Sequence, residues 1–273
     1  MAYIKSSFYS TSLKKNADFI AFIPSISADD YLSENHIDYN RKEMKFQTLY
    51  LLHGSYGDCT DWTFFSNIIR YAQDKKIAVI MPSAENSNYF NMCKGEPYLT
   101  YISEELPKFA SRIFPLSRKR ANTFIGGLSM GGYGTFRIAF EHPEIFSHAA
   151  SLSGVLDISA IQNSTKAHFA LIPKNYRDAV WADNQKIHGS RDDLSFLLEE
   201  LMKEGTQIPS LYMTCGTEDF LFPDNLAFYS KAATLGAEII FDKHPGVHNW
   251  DYWDSHIQDV LNWLPTIGDM VPE

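Results

Sequence analysis

The chain has 273 residues, 45% hydrophobic and 21% charged, ordinary values for a globular protein that exclude disorder and a fibrous fold. Its 24 Lys and Arg against 33 Asp and Glu give a net charge of -9. The basic residues gather in nothing longer than Arg118-Lys119-Arg120, so no nucleic acid is expected as a partner. No apolar run approaches the roughly 20 residues that cross a bilayer, so no membrane partner is expected either. The opening Met1-Ala2-Tyr3-Ile4-Lys5 lacks the basic and apolar regions of a secretion signal, and a cytoplasmic protein is the expectation. Cys59, Cys93 and Cys215 are scattered without CxxC spacing, which reads as reduced thiols rather than disulfides or a zinc knuckle.

In chain order, strand patterns at Tyr3 to Tyr9 and Asp18 to Pro24 flank the polar Lys14-Lys15-Asn16 and predict an antiparallel hairpin. Compact apolar runs then follow at Leu49 to Leu52, Ile77 to Met81 and Thr123 to Ile125, as expected of strands buried on both faces. Helical patterns lie between them, at Trp62 to Tyr71 and Leu99 to Ile113. Further strands are expected at Ala149 to Leu152, Leu211 to Thr214 and Glu238 to Phe241, before an amphipathic Asp251 to Leu264. Strand alternating with helix predicts one α/β domain over residues 1-273, with a mostly parallel sheet and helices on both faces. The stretch Asp157 to Gly189 breaks the rhythm and is too long for a simple connection, so it is expected to be a lid or pocket-lining insertion.

Gly127-Leu128-Ser129-Met130-Gly131 follows one of those strands and precedes a helix, the setting of a nucleophile elbow. The turn is tight enough to demand glycine at its flanks, and it lifts the Ser129 hydroxyl clear of the sheet. A serine hydroxyl needs an imidazole to take its proton and a carboxylate to orient that imidazole. Thr214 to Asp219 follows a strand and delivers two carboxylates to the carboxyl edge of the sheet. Asp219 is the expected acid and Glu218 its rival. His248 lies in a Gly-containing loop between the last strand and the last helix, where the base belongs, with His244 as its rival. His256 falls inside the last helix, and His142, His148, His168 and His188 fall in helices, a strand or the insertion.

The oxyanion of a tetrahedral intermediate is expected at the backbone N–H of Met130 and at a second N–H from Leu51 to Gly57. Ser55 is the expected second donor, with Tyr56 as alternative and His53 bracing the turn. Tyr56, Trp62, Trp181 and Trp250 are candidates to line an acyl or sugar pocket, with core packing as the alternative for the tryptophans. Of these, Tyr56, Trp181 and Trp250 are the expected substrate-binding residues.

These segments together resemble the esterase D-like serine hydrolases, a group of tributyrin-type esterases, S-formylglutathione hydrolases and family 1 carbohydrate esterases. The likeness covers most of the chain, through His53-Gly54, Tyr98 to Pro107, the Gly126 to Gly132 elbow, Gly216 to Phe220 and Gly246 to Trp250. It implies an α/β-hydrolase fold and a Ser129, Asp219, His248 triad. It also implies hydrolysis of a small-molecule ester through an acyl-enzyme, with no cofactor and no metal. Homo-oligomer formation is left open. S-formylglutathione hydrolases resemble one another in a Cys two residues beyond the oxyanion-loop donor, where this chain has Gly57. An esterase for short acyl groups, acetyl-type or feruloyl, is therefore expected ahead of a thioesterase. From another class, a non-catalytic binding protein on the same fold would lack a triad member, and none is lacking.

Overall fold

A computed structural model describes residues 2–32, 38–41, 43–159, 173–182 and 186–273. Eight strands form one sheet in the order β1-β2-β5-β4-β6-β7-β8-β9. The hairpin β1 (Ala2–Ser10) and β2 (Lys15–Ile23) is antiparallel, and β2 pairs antiparallel with β5 (Ala78–Pro82). From β5 onward all neighbours are parallel: β4 (Thr48–Leu52), β6 (Thr123–Leu128), β7 (His148–Leu152), β8 (Ser210–Gly216) and β9 (Ile239–His244). Short β3 (Met44–Lys45) and β10 (Val271–Pro272) pair separately. The mostly parallel sheet expected from the alternation, the N-terminal hairpin and the α/β-hydrolase fold implied by the resemblance are present.

The apolar runs are unbroken because both sheet faces are covered. In β4, Tyr50 and Leu52 enter one core and Leu49 and Leu51 the other, all of them buried. The first core packs under α5 (Leu106–Ile113), α6 (Met130–Glu141), α8 (Leu194–Glu204) and α9 (Phe222–Thr234). The second packs under α2 (Asp61–Phe65), α3 (Ile68–Lys75) and α10 (Trp250–Trp263). Each strand thus alternates with period two, but between two apolar layers rather than between core and solvent. Among the described residues, no helix is long and apolar enough to cross a membrane.

Two expected helices differ in detail. The pattern from Trp62 to Tyr71 divides into α2 and α3 because Ser66 is extended, with φ -140° and ψ 172°. Its hydroxyl donates to the Trp62 carbonyl at 2.5 Å and accepts from Ile68 N–H, while Asp254 accepts the Asn67 N–H at 2.7 Å. These side-chain bonds replace the helical ones. The run ending at Ile113 contains a π-turn at Tyr101–Glu105. Glu105 there grips the tip of the N-terminal hairpin, accepting from Ser10, Thr11 and Ser12.

The chain leaves β4 toward β5 on one side and returns to β6 on the other. The carboxyl ends of β4 and β6 therefore mark the switch point of the sheet, where open α/β folds gather their ligands.

Candidate active site

Ser129 sits at that switch point, between β6 and α6, with φ 53° and ψ -116°. Such a backbone is costly for a residue with a Cβ, and it persists because its surroundings fix it. Ser129 N–H donates to Leu152 O at 2.9 Å, and its carbonyl accepts from Gly132 and Val155. The two flanking glycines permit the crossing. A Cβ on Gly127 would meet Gly131 O at 2.6 Å, and one on Gly131 would meet His53 O at 2.6 Å.

A line of side chains leads away from the hydroxyl. Ser129 Oγ is 3.0 Å from His248 Nε2, and His248 Nδ1 is 2.8 Å from Asp219 Oδ2. Because a carboxylate only accepts, the imidazole proton lies on Nδ1 and leaves Nε2 to accept from Ser129. The Asp219 side chain is fully buried, and its other oxygen accepts Leu221 N–H at 2.9 Å. The His248 ring is walled by Trp253, edge to face at 4.9 Å, and by Phe220 at 4.7 Å. Asn249 then caps α10 by accepting Tyr252 N–H, which sets where the helix begins and hence how the preceding loop presents His248.

Of the two neighbouring carboxylates, only Asp219 reaches the imidazole. Glu218 turns to the histidine loop instead and accepts Gly246 N–H at 2.6 Å, while its own N–H donates to Gly246 O. The bond from Gly246 N–H holds the Glu218 carboxyl below the usual carboxylate range. Rival His244 is likewise occupied elsewhere, with its ring stacked on His256 at 4.2 Å. His168 lies outside the described residues.

On the other flank of Ser129, His53 is buried and holds two backbone groups. Its Nδ1 lies 2.7 Å from Gly54 O, and its Nε2 accepts Ala84 N–H at 2.9 Å. A carbonyl accepts and an amide donates, so the ring is neutral with its proton on Nδ1. Burial agrees, pushing the imidazole pKa down. Across a planar trans peptide, the Gly54 carbonyl and the Ser55 N–H point in opposite directions. By anchoring the first, His53 fixes the second. Ser55 and Met130 line one cavity, and neither N–H has an acceptor among the described residues. The Tyr56 N–H is already committed to Asn86 Oδ1 at 2.7 Å, with Tyr56 at φ 68°. Tyr89 completes the brace by donating its hydroxyl to His53 O at 2.9 Å.

The cavity has a volume of about 180 Å³. Ser55, Tyr56, Asn86, Asn88 and Met130 line it from the core of the fold, and Pro173 and Tyr176 line it from the insertion. Tyr176 belongs to the short α7 (Lys174–Val180). Of the aromatic residues expected to bind substrate, only Tyr56 is there. Trp181 is 2% exposed and packs edge-on against Phe90 in the core, because the chain turns inward at the end of α7. Trp250 packs among Trp62, Phe65 and Trp253 at 5.2–5.3 Å, beneath the histidine loop. Trp62 is a core residue whose indole N–H donates to Leu52 O. Asn86, Asn88, Tyr89, Pro173 and Tyr176 carried no motif in the sequence. Their one signal was position, after a parallel strand or within the irregular insertion.

The family model described as "Putative esterase" matches residues 31–264. An acetyl esterase of Caldicellulosiruptor saccharolyticus is 34% identical, over 98% of this chain and 100% of its own length. FphF, a fluorophosphonate-binding serine hydrolase of Staphylococcus aureus, superposes with a TM-score of 0.86 at 32% identity, covering 96% of this chain and 98% of its own. An S-formylglutathione hydrolase of the same organism gives 0.82 at 32% identity with the same coverage. The chain belongs to this esterase family of α/β-hydrolase enzymes, and its class is carboxylic ester hydrolase.

Proposed function

We propose that the protein hydrolyses short-chain acyl esters through an acyl-enzyme on Ser129. The observation that carries this reading is the continuous line from Ser129 Oγ through His248 to buried Asp219, with a cavity nearby lined by Ser55 and Met130, whose N–H groups are uncommitted. In this reading His248 Nε2 takes the hydroxyl proton as Oγ attacks the ester carbonyl. The oxyanion that forms is met by Ser55 and Met130 N–H, aided by the N-terminal end of α6. Asp219 offsets the charge of the imidazolium, which then protonates the departing alcohol. Water repeats the sequence on the acyl-enzyme, and no cofactor or metal takes part.

The size of the cavity supports a small acyl group. At about 180 Å³ it is below the roughly 300–1,000 Å³ of pockets for drug-sized ligands. The acetyl esterase relative points the same way. The insertion 157–189 is read as the mouth of this site, on the strength of Pro173 and Tyr176. Thioester hydrolysis is the second reading, favoured by the staphylococcal S-formylglutathione hydrolase. Against it stands Gly57, where a Cβ would collide with the Asp61 carboxylate, so a cysteine has no room there unless Asp61 moves.

A p-nitrophenyl ester series run beside S-formylglutathione separates the two. The expected result is highest kcat/KM for acetyl or propionyl esters, falling with chain length. A strong preference for the thioester would replace the first reading by the second. Failure of a fluorophosphonate probe to label Ser129 would remove both.

A further inference from the structure

Behind the histidine loop lies a second cluster that the ester chemistry does not use. His244 ends β9, while His256 and Asp259 stand one turn apart on α10. One donor atom from each lies within 4.8 Å of the other two, the single such group found among the described residues. Asp242 lies beside them and is itself fixed by the Tyr212 hydroxyl at 2.8 Å.

We propose that His244, His256 and Asp259, with Asp242 beside them, form a binding site for a divalent transition-metal ion such as Zn2+. The donor set, imidazole nitrogen with carboxylate oxygen, suits ions of borderline softness rather than Mg2+ or Ca2+.

The competing account is two separate surface His–Asp contacts, and the packing of both pairs into one cluster goes beyond it. The two imidazole rings stack at 4.2 Å with 16° between planes, which joins the end of β9 to α10 in one cluster. His244 Nε2 is shielded from solvent and lies 2.9 Å from Asp242 Oδ1. His256 Nδ1 already meets Asp259 Oδ2 at 2.7 Å, and the Tyr212 bond to Asp242 is the kind of outer contact that orients ligands. The carboxylates of Asp242 and Asp259, each beside one of the imidazoles, supply negative charge that a dication offsets.

Tetrahedral zinc, with bonds of about 2.0–2.1 Å to nitrogen and similar to oxygen, holds its ligand atoms about 3.4 Å apart. The donor atoms lie within 4.8 Å of one another, and rotating the two rings out of their stack brings them into the tetrahedral range. The consequence reaches the active site, since residues 245–255 carry His248 and are bounded by the two histidines. An ion joining β9 to α10 clips that loop at both ends.

The test is zinc binding by untagged, chelator-stripped protein, measured by calorimetry against a competing chelator. Saturable uptake of one Zn2+ per chain is expected. Loss of an outer partner alone costs about 10–100-fold in metal affinity, so His256→Ala should weaken binding by about 100-fold or more. Asp259→Asn, at a partly exposed helix position, should weaken it by about tenfold or more and keeps the test sound if the histidine variant misfolds. Ser129→Ala should bind zinc as the native protein does, which separates this site from the ester chemistry. Absence of binding, wild-type affinity in both ligand variants, or equal affinity for Mg2+ would overturn the proposal.

Discussion

The two flanks of Ser129 are held by different means. On the side of β8 and β9, the groups that face the hydroxyl are side chains, His248 and Asp219, each carried by a short loop. On the side of β4 and β5, the proposed oxyanion donor is a backbone N–H group, that of Ser55, and the side chains His53, Asn86 and Tyr89 hold the surrounding backbone. A side chain can be replaced one at a time and its chemistry removed outright. A peptide group cannot, so its direction can be changed only through the neighbours that hold it. The two flanks should therefore differ in how completely a single substitution disables them.

The largest effect belongs to the side-chain flank. Ser129→Ala and His248→Ala should each lower kcat by about a millionfold and Asp219→Ala by about ten-thousandfold. Single-turnover assays on p-nitrophenyl acetate measure this, and a loss below tenfold for any of the three would remove it from the triad. The backbone flank should give less. His53→Ala frees the Gly54–Ser55 peptide, and kcat should fall toward the about 100-fold typical of one lost oxyanion donor, with KM little changed. His53→Asn restores a donor to Gly54 O but does not reach Ala84, so its kcat should lie between the two. Equal activity in both variants would mean that the Gly54 bond is not what matters.

Smaller still is the mouth of the cavity. Tyr176→Ala should raise KM a few-fold for the shorter esters and leave kcat nearly unchanged, as expected when uniform binding is lost. A change in kcat alone would move Tyr176 from binding into the reaction. The last prediction concerns stability. Burial lowers the His53 pKa in the folded protein, so below the ordinary imidazole value of about 6.5 the unfolded chain binds a proton that the folded chain refuses. This contribution is complete above that pH and is lost as pH falls, by at most about 1.4 kcal/mol per pH unit. Denaturant unfolding between pH 7.5 and 5.5 should show a steeper loss for the native protein than for His53→Asn, and identical slopes would contradict a neutral, buried ring.

The contrast also explains what could be read from the amino-acid sequence. Ser129, Asp219 and His248 were visible because side-chain chemistry needs particular residue types in a fixed order along the chain. The strands were visible because burial on both faces makes each an unbroken apolar run. The choice between Ser55 and Tyr56 was not visible, since every residue has an N–H and only the Asn86 bond shows which one is spent. Trp181 illustrates the same gap from the other side. An aromatic residue in an irregular insertion looks like a pocket wall until the direction of the chain at the end of α7 turns it into the core. Glu218 and Asp219 are adjacent carboxylates on one loop, and a single peptide step decides that Asp219 faces the imidazole and Glu218 faces Gly246.

The strand order has one more consequence. The proposed oxyanion donor on the β4 side and its braces come from residues before 90, while Ser129, Asp219 and His248 all come after 122. The connection between them passes over the surface at Arg118-Lys119, between the end of α5 and the start of β6. Neither portion holds a working centre by itself. Cleavage at Arg118-Lys119 should therefore abolish turnover unless the two fragments reassociate, which an ester assay of the separate and the mixed halves measures.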